Sequence, residues 1–211
     1  MNDLTLFEDS WARAWKGVGA RGDGRAVLDE LLARYGEPHR KYHTTQHLLE
    51  CLAGFNRICT LPPHPTEVEM ALWFHDAIYD VNRHDNEAQS ADWAYRALID
   101  QRAPAAAAEL VRSLVMVTRH AGLPATPDEQ YLVDVDLSIL GAVPARFAEY
   151  EMQIREEYAH VPDAIFRDKR REILRTFLDR SRIFTTAHFH QLLEDRAREN
   201  LRIAIAATLR T

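Results

Sequence analysis

Apolar residues recur at every third or fourth position along almost the whole chain, and no segment alternates with the two-residue period of a half-buried strand. Such a chain buries its apolar surface by packing helices together, so the expected fold class is all-α, a multi-helix bundle. A first helix is expected over 4–16, with Leu4, Phe7, Trp11 and Trp15 on one side. A second covers 25–35 and is ended by Gly36 and Pro38. A third starts near Thr44 and runs through Leu48, Leu52, Phe55 and Ile58. Further helices are expected over 66–74, 86–102, 104–119 and 128–140, then over 144–160, 163–180 and 186–208. Residues 17–24, GVGARGDG, lack the Gly-Lys-Ser/Thr ending of a phosphate-binding loop and follow no strand, so they read as a plain connection. The expectation is one domain over 1–211, with a core at about 25–140 and the last three helices packed on it or capping it.

Composition narrows the function classes. Lys and Arg number 26 against 32 Asp and Glu, a net charge of −6, which disfavours a large nucleic-acid footprint. No apolar run approaches the ~20 residues that span a bilayer, and the N-terminus lacks a basic start and an apolar stretch. A cytoplasmic protein without a membrane partner, monomeric or homodimeric, is the expectation. Cys51 and Cys59 fall within one expected helix, too far apart for a disulfide, and read as small buried hydrophobes.

Three segments carry chemistry. In Tyr42-His43-Thr44-Thr45-Gln46-His47, a helix would put His43 and His47 on one face, able to reach one metal or one substrate group. The apolar helix ending in Trp73-Phe74 leads into adjacent His75 and Asp76. A buried carboxylate beside an imidazole needs a partner, and a divalent cation is one. Asp136 repeats the problem inside Tyr131-Leu132-Val133, Val135, Leu137, Ile139 and Leu140. Asp134 competes with it but faces elsewhere on the helix.

Together these segments resemble the HD superfamily of metal-dependent phosphohydrolases, whose pattern is His … His-Asp … Asp from separate helices of an all-α core. The match covers roughly residues 25–140. It implies an HD-domain-like helical fold and a divalent metal ion (Mn, Fe, Co, Ni, Mg or Zn) held by His47, His75, Asp76 and Asp136. Tyr42-His43-x-x-x-His47 and Asp136-Leu137-Ser138 are similar to motifs of the cyclic-nucleotide phosphodiesterase branch. There the second His binds metal and the first protonates the leaving oxygen. The resemblance therefore gives the metal to His47 and the proton-donor or phosphate-contact role to His43; the reverse assignment stays open. Ala77-Ile78-Tyr79-Asp80 lacks that branch's His-Pro-Gly continuation, and the GYP signature of cyclic-di-nucleotide enzymes is missing. The chain looks closer to a small bacterial group of HD phosphohydrolases with no assigned substrate. That group shares Tyr-His-x-x-x-His, Phe-His-Asp-x-x-Tyr-Asp, Asn-Glu-x-x-Ser and Asp-Leu-x-x-Leu-Gly.

The implied activity is hydrolysis of a phosphate ester or anhydride on a nucleotide or other small phosphorylated metabolite. Asp76 or Asp136 would accept the nucleophile's proton, and His43 would donate one to the leaving group. Asp80, Glu87, Ser90 and His120 are candidate phosphate contacts: Glu87 and Ser90 for their place near a helix start, His120 for its place at a helix end. Helix capping by Asp85 or Asn86 is the plain alternative for the former. Arg119, Arg170, Arg171 and Arg175 are weaker candidates. His39, His64, His84, His160, His188 and His190 read as surface or packing residues. Two rival readings are an HD-fold di-iron oxygenase, with His120 reaching a second iron, and a non-catalytic nucleotide-sensing or partner-binding module.

Overall fold

The apolar periodicity resolves, in a computed structural model, into ten α-helices and one 3-10 turn, with no strand among the described residues. These residues are 3–120 and 122–209, the side chains of residues 3 and 4 excepted; the expected apolar role of Leu4 therefore lies outside them. The all-α expectation holds. The chain divides into two compact units, Met1–Asp136 and Leu137–Thr211.

The first unit contains α1 (Asp3–Gly17), α2 (Arg25–Tyr35), α3 (Thr45–Asn56), α4 (Pro65–Phe74), α5 (Asn86–Asp100), α6 (Ala105–Val117) and α7 (Pro127–Asp136). Its centre is α4, which packs against α1, α3, α5, α6 and α7. Every residue from Val68 to Phe74 is buried, as expected of a helix that is apolar all round. The one charge on that stretch, Glu69, accepts hydrogen bonds from Ser10 Oγ at 2.7 Å and from the Arg13 guanidinium. Without them its burial would be costly. Trp73 donates from Nε1 to Ser10 Oγ at 3.0 Å and packs edge-on against Trp11. Trp11 and Trp15 in turn stack and donate to the carbonyls of Asp23 and Arg21, which pins the glycine-rich connection. Gly24 is needed there: its φ is +65°, and a Cβ would lie 2.5 Å from the Trp15 ring.

Helices α3 and α7 differ from the expected ones at their ends. The third helix begins one residue late, because the Thr44 side chain caps it by accepting from Gln46 N. Its end at Asn56 leaves Cys59 outside it, so Cys51 and Cys59 do not share a helix. The helix expected over 128–140 is α-helical only to Asp136 and continues as a 3-10 turn, Leu137–Gly141.

The second unit holds that turn with α8 (Pro144–Glu157), α9 (Asp163–Leu178) and α10 (Ala187–Ala207). Helix α10 packs on the turn, α9 and α8. The turn's free carbonyls are satisfied by α10: Asn200 donates to Leu140 and Ala142, and Arg196 to Gly141. Glu194 receives the backbone N–H groups of Ile183 and Phe184, and His190 lies 3.2 Å from it.

The N-termini of α4 and α7, two helices that end in candidate site residues, are joined by His64 and Asp128. The Asp128 carboxylate accepts from the His64 backbone N–H at 2.9 Å and from its Nδ1 at 2.7 Å. The hydrogen bond to Asp128, aided by the charge of that carboxylate, raises the His64 pKa. A raised imidazole pKa stabilises the fold below the unfolded value of about 6.5, and that gain is lost as pH rises through the folded value. The stability difference between wild type and His64→Asn, followed by urea unfolding, should therefore be largest in mild acid and shrink towards pH 9. A difference that grows with pH would refute the assignment.

Candidate metal centre

Four helices deliver ionisable groups to one place in the first unit. His47 comes from the first turn of α3, His75 and Asp76 from the end of α4, Asp136 from the last position of α7, and His120 follows α6. The two imidazoles are buried, with side chains 2 % and 1 % exposed; Asp76 and Asp136 keep 18 % and 13 %. His47 Nε2 lies 3.0 Å from His75 Nε2, 3.5 Å from Asp76 Oδ2 and 3.3 Å from Asp136 Oδ1. His75 Nε2 lies 3.0 Å from Asp76 Oδ2 and 3.6 Å from Asp136 Oδ1. His75 Nδ1 is 2.7 Å from the Leu72 carbonyl. A carbonyl only accepts, so Nδ1 carries the proton and a neutral His75 turns the Nε2 lone pair towards the group, as a bond from the far ring nitrogen does for metal-binding imidazoles.

Cys51 also reaches this group. Ligand atoms of His47, Cys51, His75 and Asp136 lie within 4.8 Å of one another and could hold a metal ion. The sulfur sits 3.7 Å from both ring nitrogens of His47. Equal distances put Sγ on the plane midway between the two nitrogens, away from the Nε2 lone-pair direction. The Asp76 oxygen is nearer to His47 Nε2, at 3.5 Å, and lies 3.0 Å from His75 Nε2. Cys51 is therefore more than the inert hydrophobe expected from the sequence; it packs on a site imidazole. Its position one helical turn after His47 was the available signal.

The electrostatics are those of a closed set of charges. Burial opposes the charge on every member. Against it, Cys51, Tyr42 and hydrogen bonds with Asp136 and Asp76 raise the His47 pKa well above its usual value, and Asp76 and Asp136 raise that of His75. Asp76 is held well below the carboxylate range by His75, His43 and His47 despite its burial. Asp136 is depressed likewise by His120, His47 and His75. The surroundings favour ionised carboxylates and push the His47 and His75 imidazoles towards their protonated forms.

The remaining predicted residues are placed less uniformly. His43 is not on a helix face with His47, because Thr44 caps α3 after it; the helical-pair geometry expected from the spacing is wrong. Its ring still lies 6.0 Å from that of His47 and stacks on Tyr79 at 4.0 Å. His120, φ +52°, is 24 % exposed and lies with Nε2 3.1 Å from Asp136 Oδ2, so it joins the group from the solvent side. Ser90 is buried and bonded to Ile78: Oγ accepts from the backbone N–H at 2.9 Å. Asp80 accepts from Asn82, and its backbone is held by the Asn86 side chain, which binds this loop and does not cap α5. Asp80 lines a groove of about 470 Å³ with Arg34, Glu37, His39, Tyr79 and Arg83, apart from the four clustered groups. Glu87 stands in the first turn of α5. Asp134 is fully buried. Of the arginines, Arg170 is buried against Glu151 and Arg171 pairs with Asp168, while Arg119 and Arg175 are exposed.

No family model, curated protein or solved structure matches the chain.

Raised imidazole pKa values mean that protons occupy nitrogens a cation would need. Binding of Mn²⁺ or Zn²⁺ should release protons and tighten as pH rises, levelling off once His47 and His75 are neutral. Calorimetry in buffers of different ionisation heat measures the proton count, and affinity independent of pH would contradict this picture.

Proposed function

We propose that this chain is a metal-dependent phosphohydrolase of the HD type, acting on a phosphate ester or anhydride of a nucleotide or other small phosphorylated metabolite. The observation that carries the reading is the convergence of His47 Nε2, His75 Nε2, Asp76 Oδ2 and Asp136 Oδ1. The separations recorded among them run from 3.0 to 3.6 Å. Ligands about 2.1 Å from a common ion stand ~3.0 Å apart at octahedral right angles and ~3.4 Å apart in a tetrahedron. The two-nitrogen, two-oxygen set suits a first-row divalent cation. Those four residues are the ligands in this reading, with Asp76 in preference to Cys51.

A divalent cation held there would supply Lewis acidity towards a phosphoryl oxygen and lower the pKa of a water molecule. The chain's own residues do the rest. The carboxylates of Asp76 and Asp136 are partly exposed, and one of the two accepts the nucleophile's proton. His120 steadies the second oxygen of Asp136. His43, held off the cluster by the Tyr79 stack, donates a proton to the leaving oxygen. This division supports the metal role for His47 and the acid role for His43. The −6 charge of the chain is no obstacle to an anionic substrate, because a cation among the carboxylates reverses the local field.

The His120 contact on Asp136 also suits a second metal ion, the arrangement of the oxygenase alternative. Iron content with oxygen consumption would favour that reading. The phosphohydrolase reading is tested by metal analysis followed by a panel of mononucleotides, dinucleoside polyphosphates and cyclic nucleotides. Asp76→Ala should lose both metal and turnover. His43→Ala should keep the metal and lose roughly 10²–10⁴-fold in kcat, most on esters with poor leaving groups. Hydrolysis by metal-free Asp76→Ala would overturn the proposal, and stoichiometric nucleotide binding without turnover, indifferent to chelators, would mark a sensing module.

A further inference from the structure

Arg40 has no exposed side-chain surface, yet no sequence motif singles it out. Its Nε donates to Glu37 Oε2 at 3.1 Å. Nη1 donates to the carbonyls of Asp76 at 2.6 Å and His43 at 3.2 Å, and Nη2 to that of Ala77 at 3.0 Å. The guanidinium faces two aromatic rings, its carbon 5.3 Å from the centre of Tyr35 and 5.6 Å from that of Tyr79. Both rings lead back to the site. Tyr35 Oη accepts from the Asp76 backbone N–H at 3.3 Å, so Asp76 is gripped at its amide and at its carbonyl. Tyr79 carries the His43 imidazole stacked on it.

One buried cation thus bonds the segment bearing His43 to the turn bearing Asp76, across 36 residues of sequence. The bonding pattern is specific to arginine: a planar fork supplies donors in several fixed directions beside aromatic rings, whereas a lysine ammonium is a compact point charge. We propose that Arg40 is the positioning residue that sets the His43 imidazole and the Asp76 carboxylate relative to each other. This rests on the phosphohydrolase reading, in which those two groups are the proton donor and a metal ligand. Arg40 touches neither substrate nor metal; it acts through the backbone of Asp76 and through the Tyr79 ring.

The test uses the full chain and Mn²⁺ alone as probe. Arg40→Lys and Arg40→Ala are checked for folding by circular dichroism, and Mn²⁺ affinity is read by chelator competition. Folded Arg40→Lys should bind Mn²⁺ roughly 10–100-fold more weakly, the loss typical of outer-shell changes at metal sites. Millimolar guanidinium should restore affinity to Arg40→Ala, and the same concentration of urea should not. Tyr79→Leu leaves the carbonyl bonds intact. It should keep wild-type Mn²⁺ affinity but lose about tenfold more kcat on an alkyl phosphate than on a p-nitrophenyl phosphate, with KM little changed. Wild-type Mn²⁺ affinity in folded Arg40→Lys overturns the proposal alone. If neither Arg40 variant folds, equal losses on the two esters in Tyr79→Leu overturn it. A wild-type chain that binds no divalent cation removes the phosphohydrolase reading and this proposal together.

Discussion

Two carboxylates and two imidazoles meet at the end of a helix that has no polar face, and the architecture of the first unit follows from keeping that group compensated. An isolated buried charge is expensive enough to unfold a domain of ordinary stability. Asp76 and Asp136 stay ionised because His47, His75, His43 and His120 stand around them. The same mutual dependence suits the set to a cation, which would replace protons as the counter-charge.

Rigidity is supplied from behind. Helix α4 is fixed along its length by packing on five neighbours and by the bonds of Glu69 and Trp73 to α1. At its start, Asp128 bonds His64 and ties it to α7, the helix that ends in Asp136. At its end, Tyr35 and Arg40 hold the Asp76 peptide from both sides. Ligands on helix ends, each anchored by a separate contact, keep the atom separations that a small cation requires. His120 and the carboxylates of Asp76 and Asp136 keep partial exposure to solvent.

Much of this was legible in the sequence, for reasons that differ by residue. The helices were readable because the 3.6-residue period runs through each one, and Gly36, Pro38 and Pro65 mark their ends. His75-Asp76 and Asp136 stood out because polar groups inside apolar helices need a partner, and the structure brings them together with His47. Spacing alone misled for His43: four residues from His47 suggested one helix face, but Thr44 is a good cap and the helix starts after it. Ser90 looked like a phosphate contact from its place near a helix start, and it is instead bonded to Ile78. Arg40 and Glu69 were invisible because their partners lie 36 and 59 residues away, and no local pattern encodes such pairs. Leu137–Gly141 left the α-helical ladder because α10 offers Asn200 and Arg196 to its carbonyls, again a distant cause.

The central claim is that His47, His75, Asp76 and Asp136 hold one cation, with Cys51 packed beside it. Anomalous diffraction from crystals of the cobalt-loaded protein tests this directly. The account predicts a single strong peak bonded to both Nε2 atoms and to one oxygen of each carboxylate, at about 2.0–2.2 Å, with the Cys51 sulfur outside bonding distance. A peak bonded to that sulfur with Asp76 turned away, or no peak at this position, would contradict it.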